Sequence, residues 1–152
     1  MKTTSLDTQT PPLVGAPWDE VTVGEVMHPG VIVCSPEAPI RHAAWLMATH
    51  RIHAVVALDD DESGGLWGVV TDADILAAAA LDELDELTVG AIAQTPIVTV
   101  SCSDSLVHAR ALLHEHGVTH LLVTARCRPV GVLSTLDLVA AAAAGVGAPR
   151  RR

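Results

Sequence analysis

Two short stretches carry the side chains best suited to chemistry, Thr71-Asp72-Ala73-Asp74 and Ser134-Thr135-Leu136-Asp137. Each sets a hydroxyl three residues before a carboxylate, and each follows an aliphatic run that begins with glycine (Gly68-Val69-Val70 and Gly131-Val132-Leu133). At a helix start this is capping-box form: the hydroxyl takes an orphan N–H, and the acid at the third position suits the helix dipole. A cap alone accounts for one instance. The same arrangement has a second use, because a helix N-terminus offers N–H groups and a hydroxyl to a phosphate. An aspartate one turn on can accept both hydrogen bonds of a ribose diol. The residues leave both readings open.

Other constellations carry less. His114-Glu115-His116 with His120 invites a metal, but His-x-His on a helix points the rings to different faces, and Gly117 should end that helix. His50 and His53 share the problem. No Ser/His/Asp or Cys/His set has supporting spacing, and paired carboxylates occur only in segments that read as solvated. Cys34, Cys102 and Cys127 are too few and too scattered for a disulfide framework or a zinc ribbon. The expectation is a protein without catalytic residues or a bound metal, with reduced thiols and a cytoplasmic location.

The elements that must position the two motifs come from a duplication. Thr22-Val23-Gly24 recurs as Thr88-Val89-Gly90, an offset of 66 that runs without a gap through residue 56 and matches His42 with His108 and His50 with His116. The alignment resumes at an offset of 63, which lays the first motif over the second. The difference falls in the turn from Asp59 to Gly65, where extra residues cost little.

Each copy reads as β-α-β-β-α. Val31-Ile32-Val33 and Ile97 to Val100 are short aliphatic strands. Pro39 suits a first helical position and Asp104 an N-cap. Ile40, Ala43, Ala44 and Met47 follow at helical spacing, as do Leu106, Ala109 and Leu113. Ala54 to Leu58 and Val118 to Val123 are continuous apolar runs, the pattern of strands covered on both faces. The expected organisation is a loose arm (1–20), a first repeat (21–81), an acidic helical linker (82–87), a second repeat (88–144) and a basic tail (145–152).

Composition narrows the partners. Of 152 residues, 18 are acidic and 9 are lysine or arginine, for a net charge of -9; 49% are hydrophobic, with no Phe or Tyr and three Trp. That balance argues against a nucleic-acid or anionic-membrane partner, both of which need a basic face. No apolar run is long enough for a membrane span, and the first residues lack a signal peptide's apolar stretch.

Two copies of about 60 residues, each ending Gly-h-h-[Ser/Thr]-x-x-Asp after a strand, resemble the CBS domain, and the tandem resembles a Bateman module. Ser35-Pro36-Glu37 before the first long helix and Thr71-Asp72-x-Asp74-Ile75 opening the last one add to the likeness, which covers residues 22 to about 144. The resemblance implies an α/β (α+β) fold in which two repeats pack about a pseudo-twofold axis. It also implies two clefts for adenosyl ligands such as AMP, ATP or S-adenosylmethionine. One cleft would join Ser134 and Asp137 with Gly30, Val31, His53 and Ala54; the other would join Thr71 and Asp74 with Pro96, Ile97, Thr119 and His120. Val31, Ile97, Val69 and Val132 would hold the faces of the base.

Members of the family that bind polyphosphates place cations around the cleft. Here Ala73 and Leu136 stand where arginine is common, and Asp72 and Asp74 lie nearby. The expectation is a lightly charged ligand (AMP, adenosine or S-adenosylmethionine) rather than ATP, with no cofactor required. A ligand-free interaction scaffold is the competing reading. The alanine-rich stretches Ala77 to Ala80 and Ala140 to Ala144 resemble the surface on which such modules form homodimers, and the regulated protein is not named by any residue.

Overall fold

The computed structural model describes residues 16–59 and 65–146. The expected β-α-β-β-α order is present in both copies. In the first, β2 (Val33–Cys34), α2 (Ile40–His50), β3 (Ala54–Leu58), β4 (Leu66–Thr71) and α3 (Asp72–Ala80) follow one another. In the second, β5 (Thr99–Ser101), α5 (Leu106–His116), β6 (His120–Ala125), β7 (Arg128–Ser134) and α6 (Thr135–Ala143) repeat the pattern. Each long helix buries its apolar stripe: Ile40, Ala43 and Met47 on α2, and Leu106, Ala109 and Leu113 on α5. The central strands are covered on both sides, as their unbroken apolar runs require.

A short element precedes each copy that periodicity did not reveal. These are α1 (Val23–Val26) with β1 (His28–Pro29), and α4 (Val89–Ile92). Each packs on the opposite copy. Val23 N–H donates to Asp104 O (2.8 Å) and Gly24 N–H to Cys102 O (2.8 Å), while Val89 N–H donates to Ala38 O (2.8 Å) and Gly90 N–H to Pro36 O (2.7 Å). The strand edge follows suit. β1 joins the second copy's sheet, in the order β1-β7-β6-β5, with His28 opposite Val132. In the first copy's sheet, β2-β3-β4, the equivalent bridge is Gln94 opposite Val69. Two cores result: Val23 lies in the second copy's core beside Leu106 and Leu133, and Val89 lies in the first copy's beside Val55 and Val70.

Several local expectations change. The first strand of each copy begins two residues later than its aliphatic run, although Ile32 O and Val98 O still accept from Val56 N–H and Leu122 N–H of their own copies. Pro39 is the N-cap of α2 and not its first residue. The N-cap of α5 is Ser105, whose hydroxyl accepts from His108 N–H; Asp104 instead accepts Ser101 N–H at 3.0 Å. Gly117 ends α5 in the left-handed conformation (φ 61), as expected, and the equivalent Arg51 does the same for α2 (φ 53). The acidic segment after α3 is a series of turns rather than a helix, pinned where Arg41 Nε donates to Asp85 at 2.7 Å.

The end of the expected arm is docked. Trp18 donates to Val146 O at 2.9 Å and packs on the second core, and Val146 at the head of the expected tail is buried. Residues 1–15, the acidic turn's residues 60–64 and residues 147–152 lie outside the described residues. The three cysteines are free, and burial pushes the Cys34 thiol up from its ordinary pKa.

The exchange depends on two glycines. A Cβ on Gly131 would sit 2.5 Å from His28 O and 2.7 Å from Met27 Sδ; one on Gly68 would sit 2.8 Å from Gln94 O and 2.9 Å from Ala93 Cβ. Gly131→Ala and Gly68→Ala should each cost about 1–3 kcal/mol through forced separation of the crossing backbone. Chemical denaturation of each variant measures this, and an unchanged midpoint would show that the crossing is not close in solution.

Candidate functional site

Both hydroxyl–x–x–acid motifs form reciprocal capping boxes. At α3, Thr71 Oγ1 accepts from Asp74 N–H, while Asp74 Oδ2 accepts from Thr71 N–H (2.8 Å) and the Thr71 hydroxyl (2.9 Å). At α6, Ser134 Oγ accepts from Asp137 N–H, and Asp137 Oδ2 accepts from Ser134 N–H (2.7 Å) and its hydroxyl (3.1 Å). Thr71 and Asp137 are buried, so these are fixed corners and not mobile surface groups.

The exchange of leading segments brings each corner to the other copy. His28 Nδ1 lies 2.9 Å from Asp137 Oδ1, and Gln94 Nε2 donates to Asp74 Oδ1 at 3.2 Å. The chain continues from these residues into Gly30 and Val31 on one side and into Pro96 and Ile97 on the other. His28 and Gln94 themselves were missed. Their equivalence under the 66-residue offset was the available signal, but different residue types at a pre-strand position hid it.

Val31, Ile97, Val69 and Val132 are half-buried. A cleft of about 480 Å³ lies on the Pro96 side, walled also by Gln94, Val98, His116 and Val118. It shares Pro96 with the expected second cleft but has the end of α5 where Thr71 and Asp74 were expected.

The strand-end residues sit differently from one another. Ala54 is buried opposite Thr71 in the β3–β4 ladder, and His120 is half-buried opposite Ser134 in the β6–β7 ladder. His53 and Thr119, both exposed, give their carbonyls to the first N–H of α3 and α6: Asp72 N–H to His53 O and Thr135 N–H to Thr119 O, each 3.0 Å. The His53 ring is engaged with Asp72 (Nδ1 to Oδ2, 2.8 Å). That hydrogen bond is the main reason the Asp72 carboxyl titrates below its ordinary range. His120 Nδ1 lies 2.9 Å from the Thr119 hydroxyl. Burial pushes the His120 pKa down; Asp72, Asp137 and Asp74 pull it up and His53 adds to the fall. His120 is thus the group that feels the carboxylates of both corners.

One expectation fails in detail. The first turn of α3 does not present free N–H groups, since Asp72 donates to His53 O, Ala73 to Asp72 Oδ1 (2.8 Å) and Asp74 to Thr71 Oγ1 (3.3 Å). The anion-binding half of the motif is internally satisfied there. Among the described residues, no group of three or more His, Cys, Asp or Glu is placed to hold a metal ion, and no helix is long and apolar enough to cross a membrane.

Comparison with known proteins follows the same lines. Hypoxic response protein 1 from Mycobacterium tuberculosis is 30% identical over 120 residues, covering 77% of this chain and 82% of that protein. A crystal structure of Hypoxic Response Protein I with two coordinated zinc ions has a TM-score of 0.63 at 28% identity, covering 79% of this chain and 98% of the other. The CBS domain protein PAE2072 from Pyrobaculum aerophilum, complexed with AMP, has a TM-score of 0.68 at 27% identity, covering 81% and 99% of the two chains. The CBS domain profile matches residues 23–81 and 89–144. With both halves of the duplication matched and the fold shared, the chain belongs to the CBS domain family as a tandem pair.

Proposed function

We infer that the protein is a non-catalytic regulatory module that binds an adenosyl ligand between its two repeats, with adenosine, AMP or S-adenosylmethionine preferred over ATP. The observation that carries this is the state of the two carboxylates: each has one oxygen locked in its capping box and the other directed to a leading segment of the opposite copy. Thr71 with Asp74 and Ser134 with Asp137 hold the ribose. Gly30, Val31, Pro96 and Ile97 meet the base; Ala54 and Thr119 shape the floor, and His53 and His120 stand where a single phosphate would lie. The AMP complex of PAE2072 lends support from a relative.

Charge argues for a small anionic load. Asp72 stays ionised to below the ordinary carboxylate range, and the N–H groups at the α3 corner already have partners. With a net charge of -9, a triphosphate meets an unfavourable field without arginine to offset it. Calorimetry with AMP and with ATP in the absence of magnesium should give AMP the tighter binding. ATP binding tenfold tighter than AMP would overturn the preference.

A second reading has its own support. Both capping boxes are complete without ligand, and no buried side-chain polar atom among the described residues lacks a partner, which a ligand-free scaffold also requires. A thermal-shift panel of AMP, ADP, ATP, S-adenosylmethionine and NADH separates the two. A bound ligand at 100 times its Kd stabilises by about 2.7 kcal/mol, a rise of roughly 5–10 °C for a chain of this size. Asp74→Ala with Asp137→Ala should abolish that rise; no rise with any compound would favour the scaffold.

The module acts as a cytoplasmic homodimer that conveys ligand binding to another protein, with no nucleic-acid or membrane partner. Supporting the dimer, Leu76 on α3 and Leu136 and Val139 on α6 are 70%, 62% and 60% exposed, an apolar surface on the alanine-rich helices. Light scattering should give about twice the chain mass of 15.8 kDa. The monomer mass at tens of micromolar protein would exclude this surface as a dimer interface.

A further inference from the structure

The two corners bind their own hydroxyl and N–H through the same oxygen. Oδ2 of Asp137 and Oδ2 of Asp74 each accept two hydrogen bonds within the box. An oxygen of an ionised carboxylate has about two lone-pair sites, so an arriving ribose hydroxyl must bond Oδ1. That oxygen is already occupied from the opposite copy: by His28 Nδ1 at 2.9 Å in one corner, and by Gln94 Nε2 at 3.2 Å in the other, where the amide also reaches Oδ2 at 3.4 Å.

We propose that His28 and Gln94 are built-in competitors for the ligand, each seated on the carboxylate oxygen that a ribose hydroxyl needs. The ionisable member gives the Asp137 corner a pH response of its own and Gln94 gives the Asp74 corner none, while His53 and His120 stand where a phosphate would lie and an uncharged nucleoside has none to offer them. This rests on the adenosyl reading above. The mobile half of each pair is the competitor: the His28 side chain is 77% exposed and can turn to water, whereas Asp137 is 8% exposed and fixed by its box. Against a carboxylate, His28 Nδ1 must carry the proton and donate. When the second ring nitrogen also gains a proton, the bond to the carboxylate becomes an ion pair and strengthens further. A neutral ligand then competes less well.

The surroundings point to Asp137 as the charge that His28 answers to. Opposite it on β7 stands aliphatic Val132. Glu25 on α1 is turned back to Thr22 N–H (2.7 Å) and its hydroxyl (3.0 Å). Asp104, beside α1, accepts Ser101 N–H and faces His108 Nε2 at 3.9 Å. His120 on β6 shares the field of Asp137 but is pushed towards neutrality by burial. At the other corner Gln94 has no proton to gain.

The test is calorimetric titration with adenosine, which does not itself titrate in this range, at about pH 8 and about pH 5.5. The wild type should show one site whose Kd rises about three- to fivefold at the lower pH, and one that stays constant. His28→Gln should abolish the rise, and Gln94→His should confer it on the second site. Both substitutions leave the capping boxes intact, and melting curves confirm folding. A pH response that survives His28→Gln, or binding indifferent to both substitutions, would overturn the competitor role while leaving the ligand reading in place. Adenosine binding to none of the proteins at either pH would overturn the ligand reading and the competitor role with it.

Discussion

The structure depends on one exchange: the segment leading into each repeat is built onto the other. Val23 and Val89 are completely buried in the core of the opposite copy, and the backbones of His28 and Gln94 complete the opposite sheet. Neither copy can close its core alone. Gly68 and Gly131 are the points where this crossing is tightest, which gives the glycine of the repeated motif a physical reason. The hydroxyl and carboxylate three and six residues later are then set beside a chain that has just left the other sheet. The site is a by-product of how the cores are shared.

Duplication makes the two corners alike, and substitution on that frame makes them unequal. Equivalent positions hold Ala54 and His120, Asp72 and Thr135, and His28 and Gln94. Asp72 binds His53, whereas Thr135 has no carboxylate to offer Thr119. One corner therefore carries a fixed extra negative charge and the other an ionisable neighbour. The frame tolerates these changes, since the buried cores of both copies remain apolar.

Much of this was legible in the sequence. Ala54 to Leu58 marked its strand to the residue, the two motifs marked their helix starts, and the matching offsets marked the duplication. What was hidden has a common cause. α1, β1 and α4 are four residues long or shorter, so periodicity has too little length to register them, and their burial comes from the other copy rather than from their neighbours. The same distance hid His28 and Gln94, whose partners lie on helices of the opposite repeat. The acidic segment misled in another way: its leucine spacing resembles a helix, yet Asp82 adopts a positive φ (58) and Glu83 N–H returns to Ala78 O, which turns the chain at once.

The near absence of aromatic residues acquires a meaning from this geometry. Aromatic rings can hold a purine by stacking; here Val31, Val69, Ile97 and Val132 offer only β-branched aliphatic faces, which supply contact area but little directional preference. Orientation must then come from the polar side, where two carboxylates are fixed by their own helix caps. A cap that is complete within the protein costs nothing to keep in place when ligand is absent, and it spends only one oxygen in doing so. At Asp137 rigidity and vacancy are thus separated at the level of single atoms: Oδ2 holds the corner together, and Oδ1 is left to be contested.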